Sequence, residues 1–263
     1  MRNKITRVLI IIVVVIFGGS LLIGFCIFGI SKLNNNCNVK VIELQGDLST
    51  FKESAEEFTV LSSEIVSQIE DAENNEDIKA IVLNIDSLGG TAVAGEEVAK
   101  ALINAQKPTV ALIRDFGDSA AYLAATGADK IFASKFSDIG SIAVTQSYID
   151  NAKYNEKEGY TLNQLTTGKY KNIGSPDKPL TQDERNIIMR DLNIMHEDFI
   201  KDVAANRNLD IAKVRQLADG SSMLGQMAKD KGLIDEIGGL ADVKVYIEKM
   251  INIKPVICSQ TNN

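Results

Sequence analysis

TVALIRDFGDSAAYLAATGADKIFA, residues 109–133, is the stretch that decides the fold. TVALI (Thr109–Ile113) is a short apolar run rich in β-formers, the pattern of a buried strand. It leads through Gly117 and Asp118 into Ser119, and a run of small residues follows, suited to a closely packed helix. KIFA (Lys130–Ala133) closes the stretch as a further short strand. Strand, helix and strand in succession predict a parallel βαβ arrangement. Ser119 at the strand-to-helix junction is then either a bland helix start or an exposed nucleophile.

The same alternation extends on both sides. VKVIELQG (Val39–Gly46) and KAIVLNI (Lys79–Ile85) read as strands, and the second ends in the turn sequence DSLGG (Asp86–Gly90). Leu61, Ile65 and Ile69 recur at helical spacing within a helix predicted from about Ala55 to Glu73, and a second helix is predicted over Gly95–Ala105. SIAV (Ser141–Val144) reads as another short strand. Beyond Gly168 the pattern is helical. Thr181 and Glu184 form a capping-box pattern opening a long helix, and Ile188, Leu192, Met195, Phe199 and Val203 line one of its faces. A helix over Ile211–Ala218 follows, and then a strand, a Gly-Gly turn and a last helix within residues 232–250.

The N-terminal segment differs in kind. VLIIIVVVIFGGSLLIGFCIFGI (Val8–Ile30) has no charged residue and is long enough to cross a hydrocarbon core of ~30 Å. Arg2, Lys4 and Arg7 precede it and only Lys32 follows closely, so the positive-inside bias predicts a cytoplasmic N-terminus and an exported remainder. No A-x-A site follows, and the segment reads as an uncleaved single-pass anchor. The organisation predicted is a cytoplasmic tail (1–7), a transmembrane anchor (8–30), a linker (31–38), a catalytic domain (39–250) and a C-terminal tail (251–263). The formal net charge of −7 argues against a nucleic-acid partner. Of the three cysteines, Cys26 lies in the apolar run, and a Cys37–Cys258 bridge is compatible with an oxidising compartment.

Chemistry at Ser119 needs a base. The single histidine, His196, falls in the long helix beside its apolar stripe, where it reads as a flanking residue. Metal-ligand spacings, a P-loop and GxGxxG are absent from the sequence, so no metal or cofactor is called for. A lysine can replace histidine if its ammonium loses its proton. Moving a lysine pKa from near 10.4 to about 7 corresponds to about 4.6 kcal/mol, which burial can supply. TTGKYKNIGSP (Thr166–Pro176) is a punctuated loop in which Tyr170 and Ile173 are placed to help desolvate Lys171.

Taken in order, VIELQG, IVLNIDSLGG, GDSAAYLAATGADKIFA, IGSIAV, GKYKNIGSP, ADG and GLIDEIGG resemble the bacterial signal peptide peptidase A family. These are membrane-anchored serine-lysine peptidases with an α/β fold of the Clp protease and crotonase type, built of repeated β-β-α units. The resemblance runs over about Val39–Met250. It implies that Ser119 is the nucleophile and Lys171 the general base, with Lys169 excluded. It also implies that Ser141 orients the lysine, and that the N–H groups of Gly90 and Ala120, with Gly89 adjacent, form the oxyanion hole. The implied partners are peptide substrates, among them signal peptides, the lipid bilayer, and further copies of the chain sharing sites in an oligomer. The implied location is the bacterial cell membrane, with the catalytic domain outside the cytoplasm.

Some positions depart from the family wording. Leu88 stands where proline is usual, Ala120 and Ala121 replace glycines, Ala143 replaces glycine and Asn172 replaces aspartate. These bear on substrate fit and rate more than on reaction type. Two other readings stay open at this point: an inactive scaffold on the peptidase fold, and a crotonase-like acyl-CoA enzyme, which shares the glycine turn but has no use for Lys171.

Overall fold

Runs of β-branched and aliphatic residues, buried from both sides, set the architecture. The computed structural model describes residues 37–52 and 58–258. Its strands are β1 (Val39–Gln45), β2 (Asp47–Ser49), β3 (Thr59–Leu61), β4 (Ala80–Ser87), β5 (Thr109–Asp118), β6 (Lys130–Ala133), β7 (Asp138–Gly140), β8 (Ser222–Leu224) and β9 (Glu236–Ile237). Its helices are α1 (Ser62–Asn74), α2 (Ala92–Asn104), α3 (Ser119–Thr126), α4 (Ala152–Lys157), α5 (Gln182–Asn206), α6 (Ile211–Leu217), α7 (Gly225–Lys231) and α8 (Leu240–Ile251). The main sheet runs β1-β4-β5-β6-β9, all parallel, with β7 on the far half of β5 and β8 antiparallel to β7. A mixed α/β fold on a largely parallel sheet is thus what the strand-helix alternation predicts.

The apolar runs are continuous because both faces of the sheet are covered. Along β4, Ile81, Leu83 and Ile85 join the core cluster that includes Ile65, Ile69, Val98, Leu102 and Tyr122, beneath α1, α2 and α3. Ala80 and Val82 point the other way, into a second cluster with Val110, Phe132, Val243 and Ile247, closed by α8. Tyr122 is fully buried, and its hydroxyl donates to the Leu233 carbonyl at 2.8 Å. That bond ties the helix after Ser119 to the GLIDEIGG segment.

Three differences from the sequence reading have local causes. Thr59–Leu61 form a strand paired with Asp47–Ser49, so the first helix starts at Ser62; residues 55–57 of its predicted start lie outside the described residues. Residues 141–144 are not a strand, since pairing stops at Gly140. β5 extends to Asp118, past the apolar run, because its register shifts. Ile113 pairs with Ile85, but Gly117 pairs with Ser87, so extra residues bulge out at the exposed Arg114 and Asp115. Such a bulge bends the strand. Here it lets β5 leave β6 at Ile113 and take up β7 from Phe116. By contrast the capping box at Thr181 and Glu184 forms as the sequence predicts.

The predicted anchor, Val8–Ile30, lies outside the described residues, and among the described residues no helix is long and apolar enough to cross a membrane. The chain's two described ends meet. Asn38 N–H donates to the Val256 carbonyl at 2.8 Å, Val39 bridges Ile257, and Cys37 and Cys258 form a disulfide across 221 residues of sequence. The C-terminal segment therefore pairs with the first residue of β1 and fastens the start of its open edge. Replacing Cys258 by serine is expected to lower stability by about 2–4 kcal/mol. A urea midpoint unchanged by Cys258→Ser, or by reduction of the wild type, would contradict a constraining role for this bond.

Candidate active site

The end of β5 and the turn after β4 bring together the residues singled out around Ser119. Asp118 pairs with Gly140, so the two adjacent parallel strands finish at the same level. The next residue on each is a serine, Ser119 with φ 51° and Ser141 with φ 49°. Left-handed backbone at two non-glycine residues is uncommon and costs conformational energy. In both places the chain turns sharply out of the sheet. Ser119 then opens α3, whose first N–H groups have no partner within the helix.

The DSLGG turn packs against this junction. Gly89 has φ 121° and Gly90 φ 150°. A Cβ on Gly89 would stand 2.7 Å from the Ser119 Cβ and 3.2 Å from the Ala120 nitrogen, so only glycine admits this approach. The Ser87 hydroxyl accepts from Gly89 N–H at 3.1 Å. The Gly89 carbonyl accepts from Leu48 N–H, and Thr91 N–H donates to the Leu48 carbonyl, each at 2.8 Å. In such a parallel bridge the flanking residues make the bonds, and the Gly90 N–H points away from Leu48. Gly89's donor is occupied and Gly90's is not part of that ladder. Ala120 is buried beside them. The N-terminus of α3 adds the positive end of a helix dipole. The arrangement is able to bind a developing negative charge next to a hydroxyl.

Ser141 is held from the ADG segment. Its N–H and its hydroxyl donate to the carbonyls of Ser221 and Gly220, each at 3.2 Å. Asp219 in turn accepts from Ser221 N–H at 2.9 Å and from its hydroxyl at 2.6 Å, fixing that loop. His196 lies close by on α5, with Nε2 3.2 Å from the Ile142 carbonyl. It tethers the long helix to the backbone after Ser141.

The two lysines of the GKYKNIGSP loop differ sharply. Lys169 pairs with Asp183 at 2.8 Å and sits 4.8 Å from the centre of the Tyr170 ring. The Asp183 carboxylate holds its ammonium above the usual lysine range. Lys171 lies in an exposed turn, its N–H donating to the Gly168 carbonyl at 3.1 Å. Among the described residues its side-chain amine has no hydrogen-bond or ion-pair partner. Within the single chain, then, the predicted desolvation by Tyr170 and Ile173 is not seen, and no hydrogen bond joins Lys171 to Ser119 or Ser141.

Two residues escape the sequence reading. Ser87 fixes the glycine turn through its hydroxyl. Asp118, only 5% exposed, occupies the N-cap position of α3 without making a side-chain cap. Its Oδ1 has no hydrogen-bond partner among the described residues. Burial, and then the neighbouring Asp138, push its carboxyl up to about 6. An acid before a helix ordinarily reads as a cap, and nothing in GDS signals that this one is left unsatisfied.

The fold is that of the Clp proteases. A ClpP1 mutant from Listeria monocytogenes superposes with a TM-score of 0.51 at 14% identity, over 77% of this chain and 92% of the other. The model of peptidase family S49 matches residues 101–254, and the chain belongs to that family of serine-type peptidases. A putative protease of Methanocaldococcus jannaschii is 33% identical over 72% of this chain and 61% of its own length. A putative signal peptide peptidase SppA of Enterococcus faecium is 29% identical over 70% of this chain and 54% of its own. The capsid assembly protease C of Escherichia phage lambda is 26% identical over 68% of this chain. The chain thus spans somewhat over half the length of the first two relatives.

Gly90→Ala tests the turn. The new Cβ would stand 1.8 Å from the Leu48 carbonyl oxygen on a backbone at positive φ, so the turn must shift. The expected result is a fall in kcat of about 10²–10³ with a smaller change in KM, the scale of losing one oxyanion donor. Wild-type kcat in this variant would rule out a tightly fixed turn.

Proposed function

We propose that the chain is a membrane-tethered serine endopeptidase in which Ser119 is the nucleophile and Lys171 the general base. The observation that carries this reading is the junction itself. A half-buried serine in left-handed conformation heads a helix, directly against a glycine turn whose Gly90 N–H lies outside the ladder. In the cycle, the Ser119 hydroxyl proton moves to the neutral Lys171 amine as Oγ attacks a peptide carbonyl carbon. The oxyanion is held by the N–H groups of Gly90 and Ala120. The lysine ammonium gives its proton to the leaving amine, and the acyl-enzyme forms. Water, losing a proton to the Lys171 amine, then attacks the ester carbonyl carbon, and the lysine ammonium returns that proton to Ser119 Oγ as the C–O bond breaks and the acid product leaves.

Lys171 is exposed and without a side-chain partner among the described residues, and this supports a site completed by a neighbouring copy. The segment that carries it presents Tyr148, Ile149, Tyr154, Tyr160, Leu165 and Tyr170 to solvent, with Leu165 98% exposed. Such an apolar stretch suits a subunit contact. Packing against a second copy would also supply the dry surroundings that a neutral lysine requires.

The apolar run Val8–Ile30 supports an anchor in the cell membrane with the catalytic domain outside the cytoplasm, and the Cys37–Cys258 bond suits that compartment. A tether of this kind holds the site close to extended apolar peptides leaving the bilayer. Signal peptides remaining after preprotein cleavage are the substrates proposed, in keeping with the name of the Enterococcus relative.

The test is labelling with a fluorophosphonate, together with cleavage of a synthetic signal peptide followed by mass spectrometry. Ser119→Ala is expected to abolish both, and Lys171→Ala to reduce cleavage by at least about 10³, the scale of losing a catalytic base. His196→Ala should leave cleavage nearly intact. A severe loss in His196→Ala with a mild one in Lys171→Ala would identify the wrong base.

A further inference from the structure

Asp118 is a buried acid at the site that the proposed chemistry does not use. Its position is fixed by the pairing of β5 with β7. Phe116 and Asp118 lie on the same face as their partners Asp138 and Gly140, opposite the face on which Ile139 enters the core. The residue is 5% exposed, its buried Oδ1 has no hydrogen-bond partner among the described residues, and it lies one residue before the proposed nucleophile. Ser119 and Ser141 leave their strands side by side, about 5 Å apart in strand spacing. An amine held between the two hydroxyls is therefore within electrostatic reach of the Asp118 carboxylate.

Among the described residues, the charged groups on the surrounding elements offer this acid no cation, and on α7, which packs on β7, Lys229 pairs with Glu236 at 2.7 Å. Asp138 on β7 is a like charge. On β4, Asp86 accepts from the Phe116 N–H at 3.2 Å. The bulge residues Arg114 and Asp115 of β5 are exposed to solvent. α3 carries no charged side chain and β8 none, while Asp219 ahead of β8 is taken up by Ser221. On α2, Glu97 accepts from the Ser62 hydroxyl at 2.5 Å, and Glu96 pairs with Lys100 at 2.5 Å. His196 on α5 is engaged with the Ile142 carbonyl. A buried carboxylate facing acids is stable only if it stays protonated or if a cation arrives from outside.

We propose that Asp118 is a positioning residue whose carboxylate receives the ammonium of the dyad lysine, so that the enzyme stores its base in the protonated form until the pH is alkaline. The inference rests on the Ser119–Lys171 reading given above. An opposite charge nearby favours protonated lysine, and so opposes the effect of desolvation. It also stabilises the ammonium that forms when Ser119 gives up its proton. Conversely, the arriving ammonium favours the ionised form of Asp118, whose carboxyl sits at about 6 in the single chain.

The experiment is the pH dependence of kcat/KM on a fluorogenic apolar peptide, for the full-length wild type, Asp118→Asn, Asp118→Ala and Asp118→Glu. Removing the charge is expected to move the acid limb down by about 1–2 pH units, the size of a charge interaction at ~6 Å in a medium of intermediate dielectric. Asp118→Glu should hold the limb near its wild-type place. A limb that stays put or rises in both neutral variants overturns the inference. So does loss of fluorophosphonate labelling in both with the wild-type circular dichroism retained. A preference for lysine or arginine before the cut, abolished in Asp118→Asn with an unmoved limb, would place the cation in the substrate and also overturn it. If wild type itself takes no label and cleaves nothing, the Ser119 reading fails instead.

Carbon-13 NMR supplies a second readout that does not alter the buried acid. The Asp118 carboxyl should titrate at lower pH in the assembled wild type than in Lys171→Ala. The same titration in both would contradict the pairing.

Discussion

The parallel pairing of Phe116–Asp118 with Asp138–Gly140 is the constraint on which the site depends. It requires β5 to bulge at Arg114 and Asp115, change neighbours and end level with β7. Ser119 and Ser141 then turn out of the sheet together, each at positive φ. The glycine turn after β4 is held against this point through Leu48 and Ser87. Sterics complete the arrangement: Gly89 meets the Ser119 Cβ, and Gly95 meets the Ala120 carbonyl, with no room for a methyl at either position.

Most of the framework is legible in the sequence because it follows from local patterns. The apolar runs at Val39, Ala80, Thr109 and Lys130 become strands, and the Thr181 capping box begins a long helix. What the sequence conceals is non-local. Asp47–Ser49 and Thr59–Leu61 are too short to announce themselves and exist by pairing with each other. No strand forms over 141–144: β7 ends at Gly140, because Ser141 turns away from the sheet. β5 runs on through polar residues that no hydrophobic pattern marks.

At the site the division is similar. Ser119, Ser141, Gly89, Gly90 and Ala120 were each marked by a motif, and the fold brings the glycine turn to Ser119 and ends β7 beside it. Lys171 was marked in the same way but stands apart in a solvent-exposed turn. The physics of a lysine base demands desolvation, and one copy of the chain does not provide it. A sequence pattern names a residue without saying which copy contributes it. Asp118 carries no pattern at all: its importance comes from a missing partner, which only coordinates reveal.

The central claim is that a working site needs Ser119 from one copy and Lys171 from another. The most direct measurement mixes two inactive variants, Ser119→Ala and Lys171→Ala, under conditions that exchange subunits, and follows cleavage of an apolar peptide. The account predicts that activity appears on mixing, rises to a maximum near equal proportions, and is absent from either variant alone. No recovered activity despite demonstrated subunit exchange would contradict it.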